Sequence, residues 1–141
     1  MLKKVFAMLI SFLFMASFGT STFAAETKST DYDKVMASIE KTNYEIEQKI
    51  AKAVSDADKL EAKYITDIQK IDEGDKRYNE RTEKYNNDLD KLITDLYTTT
   101  LKMSTDAINK AAEWGIQAEA YWTLVEIGGR WVWIDPIRVC H

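Results

Sequence analysis

The sequence predicts a mainly α-helical protein in which a long antiparallel helical hairpin or coiled coil is followed by a C-terminal two-stranded β-hairpin. Three observations predict this α+β fold class. A heptad repeat crosses residues 30–71, a wider apolar band crosses residues 89–114, and two β-like segments flank a pair of glycines. The predicted organisation is a signal peptide at 1–24, a helical region at 25–115 and a Trp-rich β-hairpin with its tail at 116–141.

The first segment has the three parts of a cleavable secretory signal peptide. Lys3 and Lys4 carry positive charge, residues 5–18 are apolar, and Thr22 and Ala24 place small side chains before a cleavage site at Ala24/Ala25. The alternative is a retained membrane anchor, but 14 apolar residues are fewer than the roughly 20 that span a bilayer. The sequence therefore predicts a secreted or envelope-associated protein, with no membrane contact after cleavage.

The charge balance is acidic and mixed along the chain. There are 19 basic and 23 acidic residues, and cleavage after Ala24 would leave 17 and 23. An acidic exported protein is a poor candidate for binding nucleic acid or an anionic surface. The interspersed charges are typical of solvated helix surfaces.

The first helix is predicted to start at Thr30, whose hydroxyl can cap the first turn, after a disordered lead at 25–29. Apolar residues then recur with heptad spacing, which predicts a helix that buries a narrow stripe against another helix. Asn43 is a polar member of the repeat, a feature that fixes register or the number of paired helices. The two series are Met36, Asn43, Ile50, Ala57, Tyr64, Ile71 and Ile39, Ile46, Ala53, Leu60, Asp67.

A break is predicted at Gly74, the only glycine between positions 20 and 114. Gly74 can adopt the left-handed conformation that ends a helix, and Asp75 can cap the next helix. This favours an antiparallel helical hairpin. The alternative, a single long rod that must dimerise, stays open at this point.

The second helix is predicted to follow Asp75, with Asn86-Asn87 as a second possible start, and its apolar pattern strengthens from Leu89 and ends at Trp114-Gly115. Its apolar band is wider than the stripe of the first helix, so this helix is expected to be more deeply covered. The band comprises Leu89, Leu92, Ile93, Leu96, Tyr97, Leu101, Met103 and Ile108.

A β-hairpin is predicted where residues 116–127 and 130–139 flank Gly128 and Gly129. A two-residue glycine loop is a strong hairpin signal. It sets the pairs Ile127–Arg130, Glu126–Trp131, Val125–Val132 and Leu124–Trp133, and Asp135-Pro136 should end or kink the second strand.

The hairpin is the candidate binding region, because two apolar faces cannot both be covered by the hairpin itself. One face carries Val125, Val132 and Ile134, and the other is expected to carry Trp122, Leu124, Trp131 and Trp133. One interpretation is that cross-strand packing of tryptophans only stabilises the hairpin; the other is that the exposed aromatic cluster anchors an interaction. Both interpretations can hold, one for each face.

No enzyme is expected from this sequence. His141 is the only histidine and ends the chain, and no phosphate loop, nucleophile elbow or zinc spacing is present. We therefore predict no catalytic, cofactor-binding or metal-binding residues. Cys140 is the single cysteine, so it is either free or joined to another chain by a disulfide.

These features predict a noncatalytic exported protein that binds a protein partner or itself, with the helices as scaffold and the hairpin as contact surface. One alternative is a secreted toxin-like protein, or its antagonist, in bacterial competition. Another is a module that binds cell-wall glycan by stacking tryptophans on sugar rings.

Overall fold

The computed structural model describes residues 26–140, which form two long helices and four short strands. In chain order these are α1 (Glu26–Ile68), α2 (Lys76–Glu113), β1 (Ala118–Ala120), β2 (Thr123–Ile127), β3 (Arg130–Ile134) and β4 (Ile137–Val139). The predicted signal peptide, its cleavage site and His141 lie outside the described residues.

The two helices fold back on each other, so the predicted helical hairpin is confirmed and the single rod is wrong. The heptad stripe of α1 faces inward, with Ile39, Ile46 and Ala53 buried. The predicted start at Thr30 is wrong, because α1 already begins at Glu26 and residues 26–29 are helical rather than disordered. Apolar periodicity locates the body of a helix better than its first turn.

The turn between the helices differs in detail from the prediction. Gly74 is not among the glycines with positive φ, and α1 ends at Ile68, well before it. Asp75 does cap α2, since its carboxylate accepts a hydrogen bond of 2.9 Å from the backbone N–H of Arg77. Hydrogen bonds from the Arg77 side chain and backbone lower the pKa of Asp75 to about 2, so the cap is ionised over most of the pH range.

The end of α2 is fixed by Gly115, which has a φ of +71°. Gly115 N–H donates to Ala112 O at 2.9 Å and Ile116 N–H donates to Ala111 O at 3.0 Å. This pair of bonds is a Schellman motif, in which glycine supplies the left-handed residue after the helix. Ile116 also packs on Ala111, and the motif thereby turns the chain onto the hairpin.

The hairpin consists of two antiparallel ladders in line. The pairs from Ile127–Arg130 to Leu124–Trp133 occur as predicted, and β1 pairs with β4 further from the turn. The kink at Asp135-Pro136 is confirmed, but the matching break in the first strand at Tyr121 and Trp122 was not predicted. Ile134 and Asp135 are consecutive and both buried, so alternation fails here and the two ladders cannot be one regular sheet.

The turn itself is seated between the helices. Gly128 and Gly129 have φ values of +56° and +75°, as the favoured two-residue hairpin turn requires. A Cβ on Gly128 would lie 2.8 Å from a methyl carbon of Leu89 and 3.5 Å from the Cβ of Ala57. Glycine is therefore needed at 128 for close approach as well as for backbone conformation.

The interior contains two apolar clusters along the helical hairpin. The larger lies under β2 and β3, and the smaller lies under β1 and β4 near the end of α2. The larger is built from Ile46, Ala53, Ala57, Leu89, Leu96, Ile127, Val132 and Ile134, and the smaller from Val35, Ile39, Ala111, Ile116 and Ile137.

Candidate functional site

The β2–β3 ladder divides its side chains sharply between two faces. Its inner face packs on the helices and is closed, with Ile127 and Ile134 fully buried and Val132 nearly so. Its outer face carries Leu124 and Trp133 as one cross-strand pair and Glu126 and Trp131 as the next. We call these four residues the outer array.

The outer array is open to solvent. Trp131 is 65% exposed, Trp133 is 55% exposed and Leu124 is 42% exposed. Directly opposed side chains in an antiparallel pair have Cβ atoms about 4.5–5.5 Å apart. The four side chains therefore form one contiguous patch, which the described part of the chain leaves uncovered.

Trp122 does not belong to the outer array. It lies in the break between β1 and β2, and its ring stacks on Tyr97 of α2 with centroids 6.4 Å apart and an interplanar angle of 22°. The structure thus brings together three of the four predicted residues, Leu124, Trp131 and Trp133. The strand break reverses the alternation of faces, and a uniform alternation in the sequence could not show this.

Charge is distributed unevenly over residues 116–140. Arg130 pairs with Asp90 of α2, and Arg138 pairs with Glu119 and lies 5.1 Å from the centroid of the Tyr121 ring. Glu126 is exposed and has no ion pair among the described residues. Sequence analysis paired Glu126 with Trp131 but did not include it in the candidate surface.

Asp135 is the unexpected polar residue of the interior. Its carboxyl is completely buried, and neither oxygen has a hydrogen-bond partner among residues 31–140. The hydroxyls of Thr100 and Ser104 are also buried, but they donate to the backbone oxygens of Tyr97 and Asp135. Burial raises the pKa of the Asp135 carboxyl, and the nearby hydroxyls offset this only in part.

Asn43 lies on the inward side of α1 and contacts the hairpin. Its amide donates to Ile137 O at 2.8 Å and its oxygen accepts from Ile137 N–H at 2.8 Å. The amide therefore fastens β4 to α1 within one chain. The expected role of Asn43 in setting the number of helices stays a prediction.

Cys140 is exposed and free beside the end of α2, and the interchain disulfide stays a prediction. It lines an open surface groove of about 830 Å³ together with Trp114 and two acidic side chains, Asp31 and Glu113. Among the described residues, the groove lining contains no histidine, the usual base beside a catalytic thiol.

Among the described residues, no group of three or more His, Cys, Asp or Glu side chains is placed to hold a metal ion. Within the same part of the chain, no helix has an apolar stretch long enough to cross a bilayer. Comparison with protein families, with curated proteins and with solved structures finds no match.

Proposed function

We propose that this chain is an exported, noncatalytic scaffold protein that binds another protein through the outer array of its β-hairpin. The observation that carries the proposal is the exposure of Trp131 and Trp133 on a sheet whose opposite face packs on the helices through Ile127, Val132 and Ile134. Tryptophan is enriched among the residues that dominate binding energy at protein interfaces.

The two tryptophans lie outside both buried apolar clusters of the fold. The inner face already supplies Ile127, Val132 and Ile134 to the core, and the helices bury their own stripes against it. Exposed indoles contribute little burial, while large apolar side chains at a surface promote association. A binding role explains why they stand on the outer side of the sheet.

The hairpin also holds the array in a defined geometry. Arg130 anchors the turn to Asp90, Gly128 is seated on Leu89, and Asn43 clamps β4 to α1. Side chains on a supported sheet lose less conformational entropy on binding than side chains on a loop. The helical hairpin is thus the support, and the array is the contact.

Site-specific photocrosslinking in producing cells tests this proposal. A photoreactive amino acid replaces Leu124 in the outer array or, as a matched control, Tyr44, which is 61% exposed on α1. We expect an adduct with another protein from position 124 only, identified by mass spectrometry. The adduct should disappear when Trp131 and Trp133 are both replaced by alanine.

Other results would contradict the proposal. Equal adducts from positions 124 and 44 would mean that the array has no special contact. Adducts with a second copy alone would make the protein self-associating. Sedimentation with purified cell-wall material that depends on Trp131 would favour the glycan-binding alternative instead.

Export rests on the predicted signal peptide and is tested separately. The expected product in the medium or envelope begins at Ala25, as N-terminal sequencing would show. Retention of the full chain in the cytoplasm would refute export. Growth assays with producer and neighbouring strains test the competition hypothesis, which requires that deletion or overexpression alter the growth of one of them.

A further inference from the structure

We propose that the outer array recognises a cationic segment, an extended peptide in which an Arg or Lys side chain is followed two positions later by an apolar side chain. This inference rests on the proposed function and specifies the chemistry of the partner. It is carried by Glu126, the carboxylate that stands beside Trp131 in the array.

The described part of the hairpin has no free cation that could pair with the Glu126 carboxylate, so a complementary charge must come from a partner. Residues 116–140 contain five charged side chains. Arg130 and Arg138 already form ion pairs, with Asp90 and Glu119 respectively, and Asp135 is buried. Glu126 is thus the one exposed carboxylate of this segment that no cation in the described chain neutralises.

The neighbouring indoles favour the same ligand. A guanidinium or ammonium group is attracted to an aromatic face, and tryptophan is the strongest such partner. Trp131 is directly opposite Glu126, so one cation can contact the carboxylate and the indole together. Contact with both groups offsets more of the free energy that it costs to desolvate the cation than contact with either group alone.

The second pair of the array sets the spacing. Leu124 and Trp133 lie two residues along the strands from Glu126 and Trp131, roughly 7 Å at the rise of a β-strand. Two residues of an extended partner cover the same distance. The partner's cation would therefore meet Glu126 and Trp131 while its apolar side chain meets Leu124 and Trp133.

A second copy of this chain fits the array less well. Two exposed tryptophans and a leucine provide a few hundred Å² of apolar surface, below the roughly 800 Å² per partner of a standard interface. A two-fold contact would also bring two Glu126 carboxylates together without a free hairpin cation. Size and charge both favour a single extended segment.

Nuclear magnetic resonance titration of the mature chain tests the inference. The probes are two acetylated peptides, Gly-Thr-Arg-Thr-Ile-Thr-Gly and the same peptide with Glu in place of Arg. We expect the Arg peptide to shift the indole N–H signals of Trp131 and Trp133 and to leave that of Trp114 in place. High salt should weaken this binding, because the contact is electrostatic and exposed.

Charge variants of the array sharpen the test. Glu126→Gln should weaken binding of the Arg peptide by roughly 1.4-fold to fivefold, the range of one exposed ion pair, because the indole of Trp131 is unchanged. Glu126→Lys should reverse the preference toward the Glu peptide. Glu47→Gln is the matched control, since it removes the same charge from an exposed position on α1 and should change nothing.

The outcomes separate this inference from the proposed function. If both peptides shift Trp131 and Trp133 equally, the array binds peptides without charge selection, and only the cationic partner is refuted. If neither peptide shifts them, the inference is overturned, while the crosslinking result still decides the proposed function. Preference for the Arg peptide that survives in Glu126→Lys would also overturn it.

Discussion

At the scale of single residues, Asp135 stands out because it is a buried carboxyl group without a hydrogen-bond partner among the described residues. Its carboxyl is fully buried between the two ladders, without a charged partner, and the hydroxyls nearest to it belong to Thr100 and Ser104. Burial disfavours the ionised form, so the pKa of Asp135 is raised above 3.8, the ordinary value for an aspartate. The folded chain therefore keeps its proton at a pH at which the unfolded chain has already lost it.

This difference gives a signed prediction. As pH rises from 3.8 through the raised pKa, the unfolded state ionises first, so the Asp135 contribution to the free energy of unfolding is lost. Asp135→Asn cannot ionise, so it should remove that loss and be more stable than the parent chain at pH 8 but not at pH 3. Urea unfolding at pH 3 and pH 8 measures both values.

The control for this experiment is Asp58→Asn, an exposed site without an ion pair among the described residues. It should leave stability unchanged at either pH. The comparison must be made between variants, because Asp75, with a pKa of about 2, shifts stability in the opposite direction with pH. A gain from Asp135→Asn that is equal at both pH values would contradict ionisation as its cause.

Asn43 shows how one side chain can replace a strand partner. Its amide makes two hydrogen bonds of 2.8 Å with the backbone of Ile137, as a neighbouring strand would. The heptad repeat marks Asn43 as polar among apolar positions but does not reveal what it meets. Its partner lies 94 positions away in the sequence.

We expect Asn43→Ala to destabilise the protein by about 1–3 kcal/mol, because the N–H and C=O of Ile137 lose their partners. Asn87→Ala is the control, since Asn87 is exposed on α2 and reports the gain in helix propensity alone. Thermal unfolding of both variants measures the difference. Equal midpoints would show that water replaces the amide without loss.

At the scale of elements, the hairpin turn is held both by backbone conformation and by packing. Gly128 and Gly129 share a positive φ, but only at Gly128 would an added Cβ meet the helices. The two glycines therefore separate a local requirement from a tertiary one. Alanine at 129 tests the backbone requirement alone, and alanine at 128 tests both requirements together.

Gly129→Ala should cost about 1–2 kcal/mol, the penalty of a left-handed residue with a Cβ. Gly128→Ala should cost about 1–3 kcal/mol more, because its Cβ would also overlap Leu89. Denaturant unfolding of the two variants gives the difference directly. Equal losses would mean that Leu89 moves aside freely, contrary to a seated turn.

At the scale of the whole molecule, the hairpin is a structural layer as well as a candidate contact surface. Ile127, Val132 and Ile134 complete the larger apolar cluster, and Ile116 and Ile137 complete the smaller one. Removing residues 116–141 would expose both clusters. Loss of binding after such a truncation would therefore not identify the contact, and substitutions in the outer array are the better test.

Because each helix buries its stripe within one chain, we expect the reduced mature protein to be a monomer. Light scattering after size-exclusion chromatography measures its mass. A dimer present only without reductant must involve Cys140, the single cysteine, and should vanish in Cys140→Ser. A dimer that persists in reductant would contradict the intrachain packing and require a second interface.

The sequence by itself determined the bodies of the two helices, the cap at Asp75, the end of α2 near Gly115 and the register of β2 with β3. Each of these follows from periodicity or turn chemistry within a few neighbouring residues. The packing of the helices against each other, in contrast, decided between the hairpin and the rod. Tertiary structure decided which face of the hairpin is buried and that Trp122 stacks on Tyr97. It also decided that Asp135 lies in the interior and that Asn43 forms hydrogen bonds with β4. Those outcomes depend on contacts between segments far apart in the chain, which local patterns do not encode.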